Sequence, residues 1–166
     1  MAFWILKEEP TVYSYHHLER DGATRWTGVH NALALRHLRA MRPKDRALYY
    51  HTGAERSCVG IVEVASEPQP DPDDDSGSYR VDVRPVRALR RPIPLSEVRL
   101  DPALAGIALV RLPRLSVLPL SEDQWVRLLA HEDATPRPGP VLTPGAKGRG
   151  TTSVPRPRPT GARRRR

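Results

Sequence analysis

The runs Arg46-Ala-Leu-Tyr-Tyr-His51 and Val59-Gly-Ile-Val-Glu-Val64 are both rich in β-branched and aromatic residues. The polar loop Thr52–Ser57 separates them, so the pattern predicts two neighbouring strands. Further strands are predicted at Ala2–Leu6, Tyr79–Arg84 and Leu115–Pro119. Helical patterns occur early and late in the chain but do not alternate with the strands. The sequence therefore favours an α+β fold, a small mixed β-barrel with short flanking helices, over repeated βαβ units.

Capping signals locate the predicted helices. Ser14 can begin a helix that runs to about Arg20 and ends at Asp21-Gly22, and Asn31 can begin one over Ala32–Met41. Shorter helical turns are predicted at Ser96–Arg99 and after Asp101. Ser121 and Gln124 form a capping box, and the helix that follows carries Trp125, Leu128 and Leu129. We expect this last helix to pack as a lid on the barrel.

The net charge of +8 is concentrated at one end of the 166-residue chain. Nine Lys and Arg residues lie from Arg137 onward without an acidic neighbour, which leaves 18 basic and 19 acidic residues before them. Pro, Gly and Thr dominate that end, which has no apolar periodicity. We therefore predict one domain over residues 1–134 and a disordered basic tail over 135–166, which either attracts phosphate or only increases solubility.

Several functional classes have no support in the sequence. Cys58 is the single cysteine, so no intramolecular disulfide can form, and we expect a buried, inert thiol. No phosphate loop, nucleophile motif or metal spacing is present. The Asp71-x-Asp73-x-Asp75 spacing departs from a calcium loop at Ser76 and Asp82. We expect no cofactor and no metal, and the short apolar N-terminal run indicates a cytoplasmic protein without membrane association.

The segment Thr24-Arg-Trp-Thr-Gly-Val-His-Asn31 is the strongest candidate for a binding loop. An aromatic ring (Trp26) precedes a flexible glycine (Gly28) and an amide (Asn31), a combination that can stack a planar ligand and bind its edge. The alternative is structural: Trp26 can anchor the core, and Asn31 can cap its helix.

Ordered motifs along the chain resemble the EVE domain family. They are Trp4-Ile-Leu-Lys-Glu-Glu-Pro10, Tyr13-Ser14, Thr24–Asn31, Tyr50-His51-Thr52, Val59–Val64 and Arg114-Leu-Ser-Val-Leu-Pro119. The resemblance covers roughly residues 2–131. It implies a PUA-like β-barrel, related to ASCH and YTH domains, whose pocket receives a modified nucleobase. The ligand it implies is modified cytosine in DNA or a modified RNA base.

The resemblance also implies which residues line the pocket. The candidates are Lys7, Glu8, Trp26, Val29, Asn31, His51, Thr52, Arg114 and Ser116. His51 can instead be bonded to backbone at its strand end, and Arg114 can be a surface residue. Trp4 and Trp125 are assigned to packing. His30 and Ala32 replace the family's usual arginine and aromatic residue, which weakens the expectation of a phosphate contact and a second stacking surface there.

The leading hypothesis is a monomeric, non-enzymatic reader of modified bases in nucleic acid. Its tail would add general phosphate attraction through Arg156, Arg158, Arg163, Arg164, Arg165 and Arg166. One alternative is a hydrolase or deacylase acting on a modified nucleoside, as related ASCH domains suggest, with Lys7, Glu8 and Thr52 as its reactive set. The other is an interaction module that binds through the tail alone.

Overall fold

A computed structural model describes residues 1–135, so the predicted basic tail lies outside the described residues except for Thr135. The strands are β1 (Phe3–Glu8), β2 (Thr24–Trp26), β3 (Arg46–His51), β4 (Ser57–Val64), β5 (Gln69–Pro70), β6 (Tyr79–Pro94) and β7 (Val117–Leu120). The α-helices are α1 (Tyr15–Asp21), α2 (Ala32–Ala40), α3 (Leu95–Leu100), α4 (Ala108–Arg111) and α5 (Glu122–Asp133), with a 3₁₀ turn at Pro102–Leu104.

The strands form one mixed sheet in the order β2-β6-β4-β3-β1-β7, and β5 pairs with β6 beside it. β1 and β3 are parallel, and the other pairs are antiparallel. The register of β4 against β6 shifts between Cys58 and Gly60 and again between Ile61 and Val62. Such irregularities bend a strand and increase its twist. The sheet therefore curls into a half-barrel, which confirms the predicted architecture.

The predicted helix caps are present. Ser14 and His17 bond each other's backbone N–H groups at the start of α1, and Gly22 ends that helix at φ 77°. Ser121 and Gln124 form the predicted capping box of α5. In that helix Trp125 and Leu128 are buried, and the Trp125 ring stacks on Phe3 with centroids 4.7 Å apart. The expected lid is thus α5, and Trp125 has the packing role assigned to it.

Two local predictions are wrong. Thr24–Trp26 was expected in a loop, but its backbone pairs with Val81–Val83 of β6 and forms an edge strand. The strand predicted to end at Arg84 continues to Pro94. β6 stays paired with β4 from Val83 to Pro94, and its prolines Pro85 and Pro94 lie opposite Val62 and Ser57, so they do not end the strand. The helix α4 was not predicted at all, because it has four residues and no side-chain cap.

The two faces of the β1–β3 pair are covered by different helices. On the concave face, Tyr15 of α1 packs on Tyr49, and His37 of α2 lies 6.1 Å from the Trp4 ring. Trp4 is buried, and its Nε1 donates to Asp45 at 3.0 Å, in agreement with its assigned packing role. On the convex face, α5 covers Phe3. Within residues 1–135 no helix combines the length and the apolarity that crossing a bilayer requires.

Candidate functional site

Trp26 ends β2 and lies against the concave face of the sheet. Its ring is 5% exposed and meets the ring of Tyr49 edge-on, with centroids 5.5 Å apart and planes at 88°. Gly28 follows at φ 72°, a left-handed conformation that favours glycine and turns the chain toward α2. Trp26 is therefore a core anchor whose remaining accessible edge lies beside a sharply turned loop.

Tyr49 is the centre of this aromatic cluster, and sequence reasoning did not select it. Besides Trp26, its ring contacts Tyr15 at 5.5 Å and His51 at 5.6 Å between centroids. Its hydroxyl donates to the Tyr13 carbonyl at 2.6 Å, and burial raises the pKa of the Tyr49 phenol well above its usual value. An available signal was the alternation along β3, which places Tyr49 and His51 on the same face.

A cleft of about 200 Å³ opens beside Trp26. Its lining residues are Glu8, Tyr13, Thr24, Arg25, Trp26 and Thr27. It is smaller than the roughly 300 Å³ at which drug-sized sites begin, so it suits a group of single-ring size. One acidic acceptor, two threonine hydroxyls and one exposed cation surround an aromatic edge. That combination can orient a small planar ligand and contact a neighbouring anion.

Glu8 is the acidic group of the cleft. Its Oε1 accepts a hydrogen bond from the backbone N of Glu9 at 2.8 Å, which orients the carboxylate. Tyr13, on the other side, donates its hydroxyl to Asp21 at 2.8 Å. Tyr13, Thr24, Arg25 and Thr27 were not among the predicted site residues. The chain neighbours of Trp26 were an available signal, because they lie in the same segment.

Asn31 and Val29 lie outside this cleft. The Asn31 side-chain oxygen accepts from the backbone N of Leu33 at 2.9 Å and of Ala34 at 3.1 Å, so Asn31 caps α2. Asn31 is exposed, and its amide nitrogen takes no part in the cap. Val29 is 3% exposed, and its carbonyl accepts from Ser78 Oγ at 2.9 Å. Both residues hold the loop in place beside the cleft.

His51 and Thr52 are occupied by contacts within the protein. His51 Nε2 accepts from the Tyr15 backbone N at 3.0 Å, which leaves Nδ1 to donate to Glu55 at 2.6 Å. Thr52 Oγ1 donates to Glu9 at 2.9 Å, and its backbone N donates to the Glu8 carbonyl at 2.9 Å. The backbone-bonded alternative for His51 is the one that the structure contains.

Lys7 lies on the opposite face of the sheet from Glu8, because successive strand residues point to opposite sides. With Thr52 it lines a second cavity of about 230 Å³. Arg114 is exposed before β7, and Ser116 accepts from the Lys7 backbone N at 2.9 Å through its carbonyl. The structure thus brings Glu8 and Trp26 together in one cleft, and Lys7 and Thr52 in another.

The reactive set proposed for a hydrolase does not converge. Lys7 Nζ donates to the Pro113 carbonyl, while the Glu8 carboxylate lies across the sheet. Residues 1–135 contain no group of three His, Cys, Asp or Glu side chains suited to a metal ion. Cys58 is fully buried, and burial raises the pKa of its thiol to about 12, as expected for an inert thiol.

Comparisons with known proteins agree with the motif resemblance. The family model described as EVE domain matches residues 2–131. Thymocyte nuclear protein 1 of Gallus gallus is 32% identical over an alignment of 168 positions, which covers 80% of this chain and 69% of that protein.

Solved structures share the fold. An NMR structure of a protein from Rhodopseudomonas palustris is 38% identical with a TM-score of 0.77, covering 80% of this chain and 94% of that one. The crystal structure of human THYN1 protein in complex with 5-methylcytosine-containing DNA is 25% identical with a TM-score of 0.75. The match covers 82% of this chain and 100% of the human one.

Proposed function

Because the chain belongs to the EVE domain family and has its PUA-like fold, we propose that it binds DNA containing modified cytosine, without chemical turnover. The complex of human THYN1 with 5-methylcytosine-containing DNA supports this class of ligand. In this chain, the observation that carries the proposal is the presence of the Glu8 carboxylate and the Trp26 ring in one cleft of single-ring size.

The chemistry of the cleft suits a cytosine taken out of a base stack. Extruding a base costs a few kcal/mol, and stacking on the face of an aromatic side chain restores about 1–3 kcal/mol per base. Tyr13 is partly exposed and can stack on the base, while the buried ring of Trp26 forms a wall of the cleft beside it. The threonine methyl groups of Thr24 and Thr27 suit an apolar substituent on the base.

Glu8 supplies selectivity in this proposal. A carboxylate accepts a hydrogen bond from the amino group at cytosine N4, whereas thymine and uracil present a carbonyl oxygen at the same position. Two acceptors facing each other repel, so thymine and uracil lose the hydrogen bond that cytosine makes. Glu8 therefore favours cytosine and its derivatives over thymine and uracil.

Phosphate attraction is a second component of the proposal. Arg25 lines the cleft and is exposed, so it can contact the backbone next to an extruded base. The predicted tail arginines would add sequence-independent attraction that weakens with salt. We also propose that the protein acts as a monomer. RNA that contains methylated cytosine is the alternative ligand, and it is compared directly with DNA in the test.

The test is a comparison of oligonucleotides that differ at one base. Fluorescence anisotropy is measured with labelled DNA and RNA strands carrying 5-methylcytosine, cytosine or thymine (uracil in RNA). We expect DNA with 5-methylcytosine to bind most tightly. Glu8→Gln should reduce the preference for cytosine bases over thymine by about tenfold or more, since one well-placed base contact discriminates by about 1–3 kcal/mol.

Two controls separate the cleft from the tail. Glu19→Gln removes an exposed carboxylate from α1 and should leave base preference unchanged. Replacing the tail arginines by glutamine should lower affinity for all strands while keeping the preference. Equal binding of methylated and unmethylated cytosine would contradict the proposal, and loss of all affinity with the tail charges would favour the interaction-module alternative.

A further inference from the structure

The convex-face cavity of about 230 Å³ has a strongly basic lining. Lys7, Arg56 and Arg99 contribute side chains to it, around the ring of Tyr50, and no acidic residue lines it. Glu55 lines the adjoining cavity, but its carboxylate is bonded to His51 at 2.6 Å. Three cations therefore share a small space with no lining carboxylate to neutralise them.

The side chain of Lys7 extends from β1 into this cavity, where its ammonium group is partly shielded from water. Its ammonium lies 5.6 Å from the centre of the Tyr50 ring and donates to the Pro113 carbonyl. Burial lowers the pKa of Lys7, because a charged ammonium is disfavoured where water is excluded. An ammonium has three donors, so it can bond a ligand in addition to that carbonyl.

Arg56 and Arg99 come from two separate segments, the β3–β4 loop and α3. Among the ion pairs formed within residues 1–135, neither guanidinium takes part. Their charges both act on the Tyr50 phenol: burial raises the pKa of Tyr50 to about 12, and the two arginines oppose that shift. Nearby arginines that serve the fold are paired, as Arg91 is with Glu97 at 2.9 Å.

The backbone supports Arg56 in an uncommon conformation. Its φ is 40°, which a residue with a side chain seldom adopts, and its carbonyl accepts from the Leu95 backbone N at 2.8 Å. That bond connects the Arg56 loop to the start of the helix that carries Arg99. Strained residues held by their surroundings are concentrated at ligand sites.

We propose that this cavity, formed by Lys7, Arg56 and Arg99 over Tyr50, binds a phosphate group. Two guanidinium groups and one ammonium complement a doubly charged tetrahedral oxyanion through charge-assisted hydrogen bonds. The phosphate is either inorganic phosphate or the terminal phosphate of a nucleotide. The proposal does not depend on the Trp26 cleft, which lies on the other face of the sheet.

The test is a titration of the full-length protein followed by ¹H–¹⁵N NMR at constant ionic strength. Inorganic phosphate and adenosine monophosphate are the two probes, with adenosine as the control for the base. We expect saturable shifts at Tyr50, Gly53, Arg56 and Arg99. Arg99→Gln should weaken the apparent affinity by about tenfold, and Arg99→Lys, which keeps the charge, should weaken it less.

Arg20→Gln is the matched control, because Arg20, like Arg99, lies in the last turn of a short helix. It removes the same charge at a distant place and should leave binding unchanged. Saturation by inorganic phosphate identifies the free ion as a ligand, and saturation by the monophosphate alone identifies a nucleotide phosphate. Shifts that never saturate with either probe, or equal weakening by Arg20→Gln and Arg99→Gln, would overturn the proposal.

Discussion

Each face of the β1–β3 pair combines a charged residue of β1 with a tyrosine of β3, and the charges of the two β1 residues are opposite. On the concave face, Glu8 lies with Trp26 in a cleft beside the buried ring of Tyr49. On the convex face, Lys7 lies over the ring of Tyr50 in a cavity lined by arginines. Two consecutive residues of β1 thus line two different cavities, and two consecutive tyrosines of β3 lie on the corresponding two faces. Residues that are adjacent in a strand can therefore belong to two separate sites, because their side chains point to opposite faces of the sheet.

The two faces are also held together by different interactions. Aromatic edge contacts and a tyrosine hydrogen bond organise the concave side. On the convex side, Asp101 bonds Arg127 at 2.6 Å and His131 at 2.7 Å, and Glu132 bonds Arg87. The concave face should therefore respond to changes in packing, and the convex face to changes in ionisation.

The largest expected effect comes from adding a methyl group at Gly60, which lies directly against the Tyr15 ring on the concave face. A Cβ added at Gly60 would lie 2.3 Å from the Tyr15 ring, which must then move away from Tyr49. Gly60→Ala should lower the free energy of unfolding by about 3 kcal/mol, measured by urea denaturation. Gly106→Ala is the control, since its added Cβ meets nothing within 4 Å. Equal stability of the two variants would show that the close approach of Tyr15 is unimportant.

A smaller effect is expected on the convex face, and it should depend on pH. Hydrogen bonds from Arg127 and then His131 hold the pKa of Asp101 well below its usual value. A lowered folded-state pKa stabilises the fold above the unfolded value of about 3.9, and that stabilisation is lost as the pH falls. Asp101→Asn should therefore destabilise at pH 7 and lose its effect in acid.

The measurement for Asp101→Asn is urea denaturation between pH 7 and about pH 2, with Glu122→Gln as the control. Glu122 is an exposed carboxylate in the first turn of the same helix that carries Arg127. A stability difference between wild type and Asp101→Asn that stays constant down to the lowest pH would contradict the ionic account of this face.

The smallest effect should distinguish the two adjacent tyrosines. Tyr49→Phe removes the donor to the Tyr13 carbonyl and should cost about 1 kcal/mol of unfolding free energy. Tyr50→Phe removes a hydroxyl that has no hydrogen-bond partner within residues 1–135 and should cost less. Thermal denaturation of both variants checks this order, and a larger loss for Tyr50→Phe would reverse the comparison.

Much of the fold could be predicted because its signals are local. Arg46–His51 is a strand with the predicted bounds, and Ser14, Asn31 and Ser121 cap their helices through hydrogen bonds to backbone groups two or three residues away. Apolar alternation and caps act over a few residues, so the sequence displays them directly. The predicted strand at Tyr79–Arg84 was too short, because the pairing with β4 that continues β6 to Pro94 joins segments distant in the sequence.

The candidate site was predicted less completely. The motif resemblance selected Glu8 and Trp26, which share a cleft, but it grouped Lys7 and Thr52 with them although those residues line the other cavity. Tyr49 was missed because the alternation along β3 shows which face it occupies but not which residues it meets there. Its importance comes from three aromatic neighbours brought together by separate elements.

The sequence by itself determined most of the strands and helices, the caps at Ser14, Asn31 and Ser121, the family and the separation of charge between the body and the basic end. These properties follow from short-range hydrogen bonding, side-chain periodicity and composition, all of which are visible along one segment. Only the tertiary structure decided that Glu8 meets Trp26 while Lys7 meets Arg56 and Arg99. The reason is that strand pairing and sheet curvature assign each side chain to a face, and both arise from contacts between distant segments.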